Sequence, residues 1–317
     1  SPLLPGQIWC ANDGGVYVRS INDSVWQSRC NGLANTQIYQ FGVSQLTDST
    51  LAYGTQDNGG SIYRTGHFDP FTGGDVFSQI HFNYQNNKTI NSELGNSLDL
   101  DHPPGFASAG LPETYYNQPV CMDPFGSVKG FLAHMQIWRT SNLSSLSGNW
   151  QMLFPSDSVN YFSGMSWSLA DSNLLFAARA NWYLYRSFNA LAPVPAFDSV
   201  PLPPVAYNSL WNMPLLTFPG YPDRICLVAD SVYQSDDRGS SWVNITDNLP
   251  ILIDLRNATA DPYSNDGSFY VSSTNKIFYR NATSGWIDVS QGIPVTSFIT
   301  GLVIRKYGAF KKLFIST

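Results

Sequence analysis

The chain is poor in charge, and the shortage is uneven. Only 13% of its 317 residues are charged, where an ordinary soluble domain carries about a quarter. Of its 23 acidic residues only Glu93 and Glu113 are glutamates. Glutamate favours helices and aspartate favours turns, so this skew predicts many turns and few helices. Six lysines among 17 basic residues, with a net charge of −6, leave no basic stripe to follow a phosphate backbone, which excludes nucleic acid as the expected partner. Long apolar runs are also missing. The stretch from Leu174 to Tyr185 is broken by Arg179 and Asn181, so no segment reads as a membrane-spanning helix. The opening Ser1-Pro2-Leu3-Leu4-Pro5 has no basic start and no apolar core, so any signal peptide is expected to be already removed or to lie outside the sequence. The four cysteines, Cys10, Cys30, Cys121 and Cys226, show no CxxC spacing, so no zinc site is indicated. They read as buried free thiols, with a Cys10–Cys30 bridge as the alternative in an exported protein.

Apolar residues are present in quantity, at 43%, with 14% aromatic, enough to fill a core. They recur. An apolar pair followed by Arg or Gln and then Ser or Thr occurs at Val16-Tyr17-Val18-Arg19-Ser20, Ile62-Tyr63-Arg64-Thr65, Ile137-Trp138-Arg139-Thr140, Leu184-Tyr185-Arg186-Ser187 and Val232-Tyr233-Gln234-Ser235, with a variant at Ile277-Phe278-Tyr279-Arg280. From Tyr17 through Tyr63, Trp138, Tyr185 and Tyr233 to Phe278 the steps are 46, 75, 47, 48 and 45 residues. Each copy follows a second apolar run, such as Leu51–Thr55 or Ile225–Ala229, across a turn rich in Asn, Asp and Gly. A strand beside Trp26, Trp150, Trp242 or Trp286 comes next, then an inner strand such as Ile38–Val43 or Phe298–Ile304. Four short strands per period in the middle forties predict an all-β chain, a β-propeller of four-stranded blades forming one domain over residues 1–317. Six or seven blades fit, with seven preferred. The last blade is incomplete, because the chain begins and ends on the same kind of strand.

The segment Ser235-Asp236-Asp237-Arg238-Gly239-Ser240-Ser241-Trp242 contains Ser-x-Asp-x-Gly-x-x-Trp in full and resembles the Asp-box of bacterial-neuraminidase (BNR) repeat propellers. Partial copies stand at Ser20 to Trp26, Arg280 to Trp286 and Thr140 to Trp150. Most of the chain is similar to propellers of secreted and surface proteins of Bacteroidetes-type bacteria, either glycosyl-hydrolase-like or carrying sorting domains. The resemblance implies an extracellular or cell-surface protein and a structural role for Ser235, Asp237, Gly239 and Trp242 on the face away from any active site. The sialidases of this class also carry an Arg-Ile-Pro segment, an arginine trio and a Tyr-Glu pair, which this sequence lacks.

The one 75-residue step places an insertion at about residues 66–114, expected in a loop at the channel mouth. It collects both glutamates and His67, His81 and His102. Asp99-Leu100-Asp101-His102 brings two carboxylates and an imidazole close in sequence, which suits a cation or acid/base chemistry, although strand alternation turns His102 away from the two aspartates. Solvated loop is the leading reading. No cofactor and no metal ligand is assigned, and room is left for a structural cation. Catalytic candidates, none of them committed, are Asp57, Asp75, Glu93, Asp99, Asp101 and Glu113. Ligand-binding candidates are His67, His81 and His102 with Tyr115, Tyr116, Trp167, Trp182 and Trp211, whose flat rings suit sugars or, equally, packing between blades. Asp-Ser followed by Val or Thr occurs five times, against about one by composition, and resembles an O-glycosylation signal at Ser24, Ser49, Ser158, Ser199 and Ser231. Such Asp-Ser pairs also start turns.

The expected function is an exported or surface module that binds a glycan or partner protein through its channel-side face, alongside further domains of a longer parent chain. The alternative is a glycoside hydrolase with paired carboxylates on that face.

Overall fold

The computed structural model describes residues 6–12, 15–31, 36–47, 49–56, 58–73, 76, 80–82, 89–91, 96–98, 107–108, 119–125, 129–142, 150–155, 160–180, 182–205, 213–250, 255 and 257–317. Among them are 29 strands and no helix. A three-stranded sheet comes first, from β1 (Gln7–Asn12), β2 (Gly15–Ser20) and β3 (Gln27–Ser28). Six antiparallel four-stranded sheets follow in chain order. They are β4 (Ile38–Val43), β5 (Leu51–Thr55), β6 (Gly60–Arg64) and β7 (His67–Thr72); β8 (Ile80–Phe82), β9 (Thr89–Asn91), β10 (Asn96–Leu98) and β11 (Ala107–Ser108); β12 (Val120–Met122), β13 (Gly130–Ala133), β14 (Ile137–Thr140) and β15 (Trp150–Phe154). Then come β16 (Phe162–Trp167), β17 (Leu175–Arg179), β18 (Tyr183–Ser187) and β19 (Asp198–Pro201); β20 (Leu215–Phe218), β21 (Tyr221–Val228), β22 (Val232–Ser235) and β23 (Val243–Asn244); and β24 (Asn257–Ala260), β25 (Phe269–Ser272), β26 (Ile277–Arg280) and β27 (Ile287–Asp288). A two-stranded sheet, β28 (Gly301–Tyr307) with β29 (Phe310–Ser316), ends the chain.

Each sheet is a meander whose strands pair in sequence order, as short hairpin turns require. The expected strands and the observed ones coincide closely; β4 spans the expected Ile38–Val43, and the repeat motif itself is β2, β6, β14, β18, β22 and β26. Among its described residues, the segment expected as an insertion carries β7, and then β8 to β11, a four-stranded sheet of its own. Its strands lack the Arg-Ser signature, which is why the repeat count passes over it. First strands touch in the order β4, β8, β12, β16, β20, β24, β28, and β28 touches β4 again.

The core lies between adjacent sheets. Leu174, Phe176 and Leu184 pack against Leu215, Ile225 and Leu227 across one such seam, and Phe218 and Cys226 against Phe269 and Trp286 across the next. Phe218 and Phe269 meet edge to face at 5.6 Å, the arrangement aromatic quadrupoles favour. Inner strands approach closely enough to require glycine: a Cβ at Gly42 would lie 2.5 Å from the Ile80 carbonyl oxygen, and one at Gly164 2.1 Å from that of Met213.

The repeated arginine has a use between sheets. Arg186 on β18 holds Asp198 of its own sheet through Nε and Nη2 at 2.7 and 3.0 Å, while Nη1 donates to the Arg238 carbonyl and Ser240 Oγ in the turn of the following sheet. Arg139 does the same from β14, donating to the Ala190 and Ala192 carbonyls and to Gln151. A guanidinium has enough donors in a fixed fork to serve two sheets at once.

Candidate functional site

Residues of β4, β8, β12, β16, β20, β24 and β28 line a cavity of about 320 Å³. Strand alternation sends every other side chain of a short inner strand into this space. On β8 the half-exposed residue is His81, between buried Ile80 and Phe82; on β12 it is Cys121, between buried Val120 and Met122. Gln40, Ser166, Thr217 and Thr259 line the same cavity. Among the described residues, its wall contains no Asp, Glu, Lys or Arg.

The two titratable groups in the wall are also uncharged at neutral pH. Burial lowers the His81 imidazole to about 4 and pushes the Cys121 thiol up to about 12. Cys121 Sγ donates to the Met165 carbonyl at 3.4 Å, across to β16. Thr217 Oγ1 donates to the Trp167 carbonyl at 3.1 Å, so Ser166 is the donor in the 3.1 Å bond between the two hydroxyls. The wall therefore offers hydrogen-bonding atoms and apolar surface without net charge. A desolvated wall of this kind penalises a charged guest and tolerates a neutral polar one.

The predicted candidates are dispersed. His81 lines the cavity. His67 is exposed, paired with Arg64 at the outer β6–β7 hairpin, and is not a wall residue. Trp167 lines the same cavity; it is buried, its indole N–H donates to the Ser172 carbonyl at 2.8 Å and its ring meets Phe131 at 4.6 Å, so it also serves the packing between sheets. Trp182 is half-buried in the β17–β18 turn, with φ of 68°, and packs on the neighbouring core. Asp57, Asp75, Glu93, Asp99, Asp101, His102, Glu113, Tyr115, Tyr116 and Trp211 lie outside the described residues. Of the Asp-Ser serines, Ser24, Ser49 and Ser199 are exposed and Ser231 is half-buried, and Ser158 is outside the description. All four cysteines are free, so Cys10 and Cys30 form no bridge; Cys226 is buried and Cys10 exposed.

The Ser235–Trp242 turn is built from its side chains. Ser235 Oγ accepts from the Gly239 N–H at 2.7 Å and donates to Asp237 Oδ1. Asp237 accepts from the Ser241 N–H at 2.8 Å and from its hydroxyl at 2.6 Å. The Ser241 hydroxyl and N–H together hold the carboxyl down to about 2. Gly239 has φ of +85°, and a Cβ there would lie 2.4 Å from Leu184 Cδ2. Trp242 packs on the core shared by the β16–β19 and β20–β23 sheets.

No protein-family model matches the chain, and no curated protein matches it.

Sequence reasoning did not single out Arg179 or His134. Among the described residues Arg179 is the largest fully buried side chain, with its guanidinium 5.0 Å from the Phe162 ring and 5.6 Å from that of Tyr185 while it donates to the Asn160 carbonyl. His134, in the β13–β14 turn, stacks on Tyr161 at 5.9 Å with 9° between the planes. An arginine ending an apolar run was the available signal, but it carries no spacing to distinguish it from a solvated charge.

Proposed function

We propose that the chain is a seven-bladed β-propeller that binds an uncharged, hydroxyl-rich ligand, a glycan or a similar surface of a partner protein, at its axial channel, and that it acts outside the cell as a binding or scaffolding module. The cyclic contact of seven first strands supports the blade count. The side-chain cage of the Ser235–Trp242 turn supports kinship with Asp-box repeats and gives those residues a structural role. Exposure of Ser24, Ser49 and Ser199 fits modification of an exported protein.

One observation carries the binding reading: the described channel wall is polar but uncharged. A glycan asks for hydroxyl partners and apolar ring faces, and such a wall supplies both. A glycoside hydrolase would need two carboxylates about 5 to 10 Å apart across a cleft; its candidate carboxylates lie outside the described residues.

Calorimetry of the chain against neutral and acidic oligosaccharides tests the reading. Neutral sugars should bind, and Gln40→Ala or Ser166→Ala should weaken that binding at least tenfold. Binding confined to acidic sugars, or unchanged in both variants, would refute it, and release of reducing ends would favour the hydrolase.

A further inference from the structure

The turns that follow four of the cavity-lining strands share one backbone bond. The Ser44, Asp123, Ser168 and Asp261 amides donate to the Thr50, Lys129, Leu174 and Ser268 carbonyls at 2.9 to 3.1 Å, just past the ends of β4, β12, β16 and β24. This common anchor sets the four strands in register, so lining residues counted back from it stand at matching levels. Two positions back are Gly42, Cys121, Ser166 and Thr259, and Thr217 joins that level through its bond to Ser166. Four positions back are Gln40 and Asn257. Two residues of strand separate the levels by about 7 Å.

Past the anchor the lining changes character. The next residues, Gln45, Pro124, Leu169 and Pro262, also line the cavity. Proline and leucine side chains carry no hydrogen-bonding group. Gln45 spends its amide inside the protein: Nε2 donates to the Val43 and Ile304 carbonyls at 3.3 and 3.4 Å, and Oε1 accepts from the Tyr263 hydroxyl. The described lining therefore offers side-chain partners at two levels and withholds them at one end. Its volume of about 320 Å³ is at the small end of the ~300 to 1,000 Å³ that ligand sites span, room for about one or two sugar rings. A hydroxylated chain carried past Gln45 and Pro262 would shed water without gaining a side-chain partner, which opposes its passage.

We propose that the cavity takes the end of a neutral glycan, with its terminal ring or two held between the level of Gln40 and Asn257 and the level of Ser166 and Thr259, and that it does not hold an internal stretch of chain. This end-on mode rests on the reading of the cavity as a neutral-glycan site.

A protein that grips ends responds to the number of chains, and one that grips along the chain responds to their length. Calorimetry with linear glucan, mannan, galactan and xylan, each as disaccharide, hexasaccharide and long polymer, separates the two. In a series that binds, disaccharide and hexasaccharide should differ by less than about fivefold in Kd, and the polymer at equal mass should bind at least about tenfold more weakly than the hexasaccharide, because its ends are few. Thr259→Val should weaken disaccharide and hexasaccharide by the same factor, and Gln40→Ala, from the other level, serves as the second variant should Thr259→Val lower the thermal midpoint. A gain of fivefold or more from disaccharide to hexasaccharide, a polymer within tenfold of the hexasaccharide at equal mass, or a loss in these variants confined to the hexasaccharide would overturn end-on binding and leave the glycan reading standing. Binding in none of the four series would overturn both.

Discussion

The Tyr263 hydroxyl donates to Gln45 Oε1, joining residues 218 positions apart, and Gln45 Nε2 in turn donates to the Ile304 carbonyl at 3.4 Å. One side chain thus links the β24–β25 turn, β28 and the end of β4, where the first and last parts of the chain meet. Gln45→Ala should lower stability by about 1 kcal/mol, and Tyr263→Phe by a similar amount. In a double-mutant cycle by urea denaturation the two losses should sum to more than the double variant loses, because both remove the Tyr263–Gln45 bond while only Gln45→Ala also removes the one to Ile304.

Arg186 offers a test of how sheets are held together. Arg186→Ala removes the fork on Asp198 and both donors to the next turn, and should cost about 2 kcal/mol. Arg186→Lys should recover little, since an ammonium cannot reach Asp198 with two parallel donors and serve the neighbouring turn as well. Thermal midpoints of the two variants decide the point.

Acid should loosen the Ser235–Trp242 turn. Asp237 has its folded pKa depressed to about 2 from an ordinary 3.8, so its contribution is present above pH 3.8 and is lost as pH falls toward 2. Asp237→Asn should flatten stability over that window. Gly239→Ala should destabilise at every pH, through its positive φ and the contact with Leu184.

His81 acts in a higher window. Its folded pKa of about 4 lies below the ordinary 6.5, so the unfolded chain takes up the proton first and stability should decline as pH drops from 6.5 to 4. His81→Gln should remove that slope in thermal melts while leaving the Asp237 window in place.

Much of the architecture is legible in the residues. Tyr63, Trp138, Tyr185, Tyr233 and Phe278 mark third strands, and Tyr17 the middle strand of its three-stranded sheet, because strand alternation and hairpin chemistry are local, and local rules repeat with the sequence. The sheet β8–β11 escaped the same reading, since its strands bear no repeat motif and are recognisable only by their pairing. Among the site candidates, His81 was named for its company of histidines and carboxylates, yet the structure places it in a cavity whose described lining residues include no Asp, Glu, Lys or Arg.

By itself the sequence determined the strand positions of the repeat-bearing sheets, their turns and the self-bonded Ser235–Trp242 loop, because each depends on residues within a few positions of one another. Only the tertiary structure decided which inner strands adjoin, that Arg186 and Arg139 reach into the next sheet, and that the described cavity wall holds no Asp, Glu, Lys or Arg. Those properties depend on side chains tens to hundreds of positions apart, whose meeting is set by burial between sheets and by no local preference.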